Sequence, residues 1–415
     1  MKSKTCTKFE LVKKLKAFKK LSYGRQHLDE SDIQAVVAAL KGSLITAGPL
    51  VEKFEMVLGE YFNCKNVTVC NNGTSALFIA SKALGVCPKS VVIVPSQTFL
   101  ATASVPHLLG AEVVFCDVDP ISGLMTPHDL RIAVSKCRRL FPERSLQAVY
   151  VVHMNGHPAN VHEISLISAS AGAYLIEDAC HAIGGGIRRN ETGEFHKIGS
   201  CKWSDAATFS FHPVKNLTTG EGGAVSFRES QIDIKAKMIR NHGINYSAHK
   251  KDALPLAPYG QWSHFLSNPS LNFRIPDILC ALGISQLKKL DKWVERRAQI
   301  YGMYRDGFAG SDHIRPVDTA EWAKPAWHLA AIHLDFRFLS VSKRTLFEQL
   351  ENVGIKPQVH YQPVHLQPYW IDRYGQYELP GASAYYKSVM SLPLFVGLEN
   401  EDVGVVVENI NACIG

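Results

Sequence analysis

At 415 residues the chain exceeds one ordinary domain and suits a large unit joined to a smaller one. Hydrophobic content of 46% and charged content of 20% exclude a fibrous or disordered chain. The net charge of +7 is not a basic face: residues 1–25 hold nine Lys or Arg against Glu10 alone, and the remainder carries 36 basic against 37 acidic groups. That leaves a basic N-terminal arm over 1–22, with no motif for binding nucleic acid.

In chain order, apolar positions at three- and four-residue spacing predict helices over 29–43 and 48–63, split by the turn-like Ala47-Gly48-Pro49. From 66 to 230 short apolar runs alternate with helical stretches. The strands expected are 66–70, 90–95, 112–118, 146–153, 173–177, 205–211 and 223–227, and the helices between them 74–85, 99–110, 127–137 and 160–171. Such alternation predicts an α/β domain with a mostly parallel sheet, whose ligands gather beyond the carboxyl ends of the strands. A long helical stretch over 275–309 then leads to a strand near 327–334, a helix over 342–353, a strand near 355–361 and a final helix over 399–412. The expected organisation is therefore an arm (1–22), a large α/β domain (23–275), and a linker helix with a small α+β domain (276–415).

Ten cysteines occur without a CxxC, several inside apolar runs, which fits buried free thiols in a reducing compartment. No apolar signal segment and no run of 18 apolar residues is present, so the expectation is a cytoplasmic protein with no membrane span.

Four segments could carry chemistry. In Ala173-Tyr-Leu-Ile-Glu-Asp178-Ala-Cys-His181 a strand delivers an acidic pair to its carboxyl end. Asp178 suits a protonated ring nitrogen there, or simply a helix cap. In Ser210-Phe-His-Pro-Val-Lys215-Asn-Leu-Thr-Thr-Gly-Glu-Gly-Gly a lysine lies between two chain breakers. Such a lysine either faces solvent or serves as an amine nucleophile. Asn71-Asn-Gly73-Thr74-Ser75 follows a strand and opens a helix, as a phosphate seat or an ordinary cap. Phe99 starts another helix, facing either the same crevice or the core. His360-Tyr361-Gln-Pro-Val-His365 gathers polar rings, but no acid or Cys accompanies the histidines at ligand spacing, so no metal site is expected.

The order of these motifs resembles the DegT/DnrJ/EryC1/StrS nucleotide-sugar aminotransferases. They include Gly48-Pro-Leu-Val-Glu-Lys-Phe54, Asn72-Gly-Thr-Ser-Ala-Leu77, Pro95-Ser-Gln-Thr-Phe99, His153-Met-Asn-Gly-His-Pro158, Glu177-Asp-Ala-Cys-His181, the Lys215 segment, Leu271-Asn-Phe-Arg274, Ala281-Leu-Gly-Ile-Ser-Gln-Leu287 and His360-Tyr-Gln-Pro363. The resemblance implies an aspartate aminotransferase-like (fold type I) architecture and pyridoxal 5′-phosphate held covalently on Lys215. It implies that Asp178 pairs with the pyridine nitrogen, that His181 lies near the phenolic oxygen, and that Phe99 stacks on the ring. Gly73, Thr74, Ser75 and Ser210 match the phosphate cup, and Asn272 matches a residue reaching the phosphate of a neighbouring subunit in a homodimer. Arg274, His360, Tyr361 and His365 are candidates for the nucleotide sugar.

The reaction implied is transfer of an amino group from glutamate to the C4 ketone of a nucleotide-linked 4-keto-6-deoxy sugar. Ile198-Gly-Ser-Cys-Lys-Trp-Ser-Asp and Arg240-Asn-His-Gly-Ile244 are similar to the subgroup acting on UDP-4-keto-6-deoxy-N-acetylhexosamines, as in pseudaminic acid biosynthesis. His153-Met-Asn-Gly-His-Pro158 resembles perosamine- or legionaminic-type enzymes equally well. A sugar dehydratase on the same cofactor would lack the lysine or add a cysteine cluster, and a non-catalytic regulator would lose Lys215 or Asp178.

Overall fold

The computed structural model describes residues 20–189, 193–245, 265–266 and 268–414. In chain order the strands are β1 (Leu21–Ser22), β2 (Val67–Cys70), β3 (Ser90–Pro95), β4 (Glu112–Cys116), β5 (Ser145–Val152), β6 (Tyr174–Asp178), β7 (Gly186–Ile187), β8 (His196–Lys197), β9 (Ala206–Ser210) and β10 (Gly223–Phe227). They continue with β11 (Ile244–Asn245), β12 (Phe265–Leu266), β13 (Ile314–Pro316), β14 (Ala323–Lys324), β15 (Ala330–Leu334), β16 (Ile355–Lys356) and β17 (Val389–Leu392).

The apolar runs read from the sequence become one seven-stranded sheet of order β2-β10-β9-β6-β5-β3-β4. β10 runs antiparallel to both of its neighbours, and the other strands share one direction. Runs such as Ser90–Pro95 are buried at every position because helices cover both faces of the sheet. Val91 and Ile93 feed the core on one face, while Val92 and Val94 feed the other. The common direction brings the carboxyl ends of β2, β3, β6 and β9 to one edge, where the chain leaves each strand for a loop or helix.

The stretch expected to be continuous over 275–309 is two helices, Asp277–Leu287 and Leu290–Gly307. Asp277 caps an earlier helix rather than its own: its carboxylate accepts from the N–H groups of Gly48 (2.7 Å) and Leu50 (2.9 Å). Beyond it, β13-β15-β17 form an antiparallel sheet, and the helices Lys343–Asn352 and Asn400–Ile414 pack against each other. The strand expected over 355–361 is only Ile355–Lys356, because Pro357 has no N–H for a ladder. β16 pairs in parallel with β1, so Leu21–Ser22 lies against the C-terminal part of the chain. The basic arm, up to residue 19, falls outside the described residues.

Candidate functional site

Four strand ends converge on a cavity of about 340 Å³. Gly73, Thr74, Phe99, Asp178, His181, Ser210, Lys215, His360 and Tyr361 all line it. They come from four loops of the large sheet and one segment near residue 360. Their convergence is a tertiary fact.

The acidic pair on β6 divides, as alternation along a strand requires. Asp178 faces the cavity side, where its Oδ2 accepts from Thr102 Oγ1 (2.7 Å) and its Oδ1 from the Cys180 N–H (3.2 Å). Thr98 in turn bonds to Thr102 at 2.8 Å. Glu177 faces the opposite side, where His153 Nε2 lies 2.8 Å from one carboxylate oxygen and the Ser204 hydroxyl donates to the other. The His153 ring also accepts from the Ala159 N–H at 3.1 Å. Both clusters are buried, but only the one around Asp178 borders open space.

Lys215 sits in the loop closing β9 onto β10, its own N–H bonded to the His212 carbonyl (2.9 Å). Asn216 donates to the Ala326 carbonyl (2.9 Å) and ties this loop to the segment before β15. The Lys215 side chain is only half-buried, since it opens into the cavity, yet protein surrounds it closely enough that desolvation holds its amine below the ordinary lysine range. Burial and the Asp178 charge push the Cys180 thiol well up, and Asp178 is a carboxyl group lining the cavity with Lys215. A lysine with a depressed pKa in a cleft is an amine able to act as a nucleophile or move a proton.

The helix Gly73–Ala83 begins at the cavity, with Asn72 capping the Ser75 N–H (2.8 Å). Residue 73 must be glycine, because a Cβ there would stand 2.8 Å from the Ser210 Cβ. Helix start and Ser210 hydroxyl are thereby held together, as an anion seat requires. Ser75 itself is buried behind the helix start and does not line the cavity.

His181 stands on the opposite wall, Nε2 3.1 Å from the Tyr361 hydroxyl and Nδ1 buried without a partner among the described residues. Gln97 holds Tyr361 by its carbonyl (3.0 Å), and Ser391 holds the His360 ring (2.9 Å). Burial, with the Lys215 charge second, pushes His360 down to about 3 and His181 well below the ordinary histidine range. Phe99, more than half exposed, meets Tyr361 edge-on at 5.8 Å between ring centroids.

Besides Ser75, Arg274 and His365 lie away from this cavity, and so does Asn272, which was expected to reach a neighbouring subunit's phosphate. Asn272 is exposed and uses its Oδ1 on the Arg274 N–H (3.1 Å); Arg274 binds Asn241. His365 is buried against Ser96, away from the cavity, because Val364 is pinned to the Ser96 carbonyl (2.9 Å). Tyr23, Thr102, His212 and Glu221 were not expected. Tyr23 is delivered by β1 and packs 4.8 Å from His360, and only that long-range strand pairing could reveal it. A larger cavity of about 660 Å³ lies between β13-β15 and Pro120, but it holds none of these groups.

Among the described residues no cluster of three or more His, Cys, Asp or Glu could hold a metal, and no helix is long and apolar enough to cross a membrane. The sequence profile of the DegT/DnrJ/EryC1/StrS aminotransferase family matches residues 26–411. UDP-4-amino-4,6-dideoxy-N-acetyl-beta-L-altrosamine transaminase of Campylobacter jejuni is 34% identical over 94% of this chain and 96% of its own. Spore coat polysaccharide biosynthesis protein SpsC of Bacillus subtilis is 30% identical over the same shares. Among solved structures, Helicobacter pylori PseC, an aminotransferase involved in the biosynthesis of pseudoaminic acid, superposes with a TM-score of 0.84 at 26% identity, covering 95% of this chain and 99% of that one. The expected α/β aminotransferase fold, mainly parallel in its central sheet, is the fold observed.

Proposed function

We propose that this chain, which belongs to the DegT/DnrJ/EryC1/StrS aminotransferase family, uses pyridoxal 5′-phosphate to move an amino group from glutamate to the C4 ketone of a nucleotide-linked 4-keto-6-deoxy sugar. The observation that carries this reading is a half-buried lysine with a depressed pKa sharing one cavity with a strand-end carboxylate and a helix-start anion seat. The residues fit the cofactor. Gly73, Thr74 and Ser210 would hold its phosphate, Asp178 its protonated ring nitrogen, and Lys215 its aldehyde carbon.

When bound, the cofactor supplies an electron sink for the carbon that gains or loses the amine. The protein supplies orientation and one proton carrier. Lys215, freed from the cofactor, is the amine placed to take a proton from one carbon and return it to another. The Thr98–Thr102–Asp178 relay fixes the carboxylate so that it cannot swing away. Phe99 closes one side against solvent at the mouth.

A UDP-4-keto-6-deoxy-N-acetylhexosamine is the substrate class favoured, because the Campylobacter relative acts in that chemistry and aligns over nearly the whole chain. In His153-Met-Asn-Gly-His-Pro158, His153, Asn155 and His157 are buried and do not line the cavity, so they offer the sugar no direct contact there. We place the active form in the cytoplasm as a homodimer. Nine described cysteines are free, and Ile33, Val37, Leu40, Leu44, Ile45 and Met56 expose apolar surface around the first two helices. In that dimer Asn272 would serve the partner's phosphate seat, which accounts for its exposure here. His360 and Tyr361 remain the sugar-side candidates. Residues 23–275 would hold the cofactor, and 276–415 would close over it.

The test is the visible spectrum of the purified protein, followed by turnover of UDP-, GDP- and dTDP-4-keto sugars with glutamate. A cofactor band that disappears on reduction with borohydride into a fixed adduct at Lys215, with turnover of a UDP sugar, supports the reading. A protein that stays colourless with added cofactor overturns it.

A further inference from the structure

Behind His181 lies an unexpected group. The His328 ring, 3% exposed, packs 4.6 Å from the His181 ring at a tilt of 51°. Nδ1 of each ring is buried without a partner among the described residues. Arg297 is fully buried, its Nη1 donating to the carbonyls of His328 (3.4 Å) and Leu394 (3.0 Å), with no carboxylate partner among the described residues.

His328 is placed by the motif that the reaction did not use. Its N–H donates to the Asn155 carbonyl (2.9 Å), and the Ala326 N–H donates to the Gly156 carbonyl (3.0 Å). A Cβ on Gly156 would lie 2.1 Å from the Ala326 oxygen, so only glycine lets the two segments meet. Asn216, next to Lys215, holds the same Ala326 oxygen.

The charges facing the pair are one-sided. Lys215 faces His181 from the β9–β10 loop and Arg297 faces His328 from its own helix, while His360, from the segment after β16, is itself pushed down by burial and adds no charge near neutral pH. Tyr361 bonds to His181, and burial raises its phenol, so it stays neutral. Asp178, the acid of the cavity, is engaged by Thr102 and Cys180. A proton added to either imidazole would create a buried N–H with no acceptor, beside existing cations. Both histidines are accordingly held well below the ordinary range, burial first and the Lys215 charge second.

We propose that His328 is a positioning residue: braced by Arg297, its ring packs on His181 and fixes it as a neutral imidazole of one tautomer against Tyr361. His181 then offers a bound group a hydrogen bond and not a second positive charge beside Lys215. The functional part of this inference rests on the pyridoxal phosphate reading of the cavity.

The experiment is long-range proton–nitrogen NMR of the imidazoles in the holoenzyme between about pH 5 and 8, with the cofactor band recorded on the same samples. Wild type should show His181 neutral and single-tautomer throughout. His328→Gln should leave it neutral but mix its tautomers, and lower kcat with KM little changed. His328→Asp should charge it, raising the acid limb of kcat by about one to three pH units. Unchanged His181 signals in His328→Gln, the milder variant, overturn the inference even if His328→Asp fails to fold, and so does a His181 that titrates in wild type. Absence of any cofactor band defeats the cofactor reading instead, while the NMR result still decides the state of His181.

Discussion

Two polar clusters lie one residue apart on β6, and they differ in closure. Around Glu177, His153 and Ser204 take both carboxylate oxygens, and Ala159 takes the second ring nitrogen of His153. Around Asp178 the inventory is open: among the described residues His181 and His328 leave ring nitrogens unpartnered, and Lys215 faces a cavity. A closed buried network stabilises the fold. An open one gives up some stability so that a ligand can complete it.

The comparison breaks if the two clusters respond alike to mutation. The largest effect should come from Lys215→Ala, which removes turnover entirely while leaving the denaturation midpoint of the cofactor-free protein unchanged or raised, since a desolvated amine is lost. Asp178→Asn should lower kcat by about a hundredfold or more with the fold intact by circular dichroism. Glu177→Ala should do the reverse, costing about 3 kcal/mol by urea denaturation while the folded fraction keeps its cofactor band.

Acid sharpens the contrast further. His157 and His333 are pushed by burial to about 4 from an ordinary 6.5, and His360 to about 3. In each the unfolded chain binds a proton that the folded one refuses. Their contribution is therefore complete above about 6.5 and is lost as pH falls from there towards 4. Chemical denaturation across that window should show stability rising with pH, and a flat profile would contradict the neutral, buried histidines. The smallest effect belongs to the surface. Arg344→Ala, which breaks an exposed pair with Glu348 at 3.0 Å, should change stability by no more than about 0.5 kcal/mol.

Much of this was legible in the chain. The seven strands of the main sheet and most of its helices follow from periodicity, because a sheet covered on both faces needs continuous apolar runs. Asp178, Lys215 and Gly73 could be singled out because strand ends, chain breakers and helix starts are local events. Their meeting was carried by the order of motifs. Less was legible where contacts are long-range. Glu177 reads the same as Asp178 in sequence, and only the strand's pleat separates a structural acid from a site acid. β16 ended at Pro357, and the long linker helix broke near residue 288, where no strong local signal stands.

The sequence by itself determined the element order, the parallel sheet and the residues able to do the chemistry, since these depend on neighbours a few positions away. Tertiary structure alone decided which of them share a cavity. Tyr23 reaches His360 through β1 pairing with β16, Gln97 pins Tyr361, and Asn155 and Gly156 carry His328 to His181. Each of those contacts joins segments far apart in the chain, and no local periodicity encodes a distance of that kind.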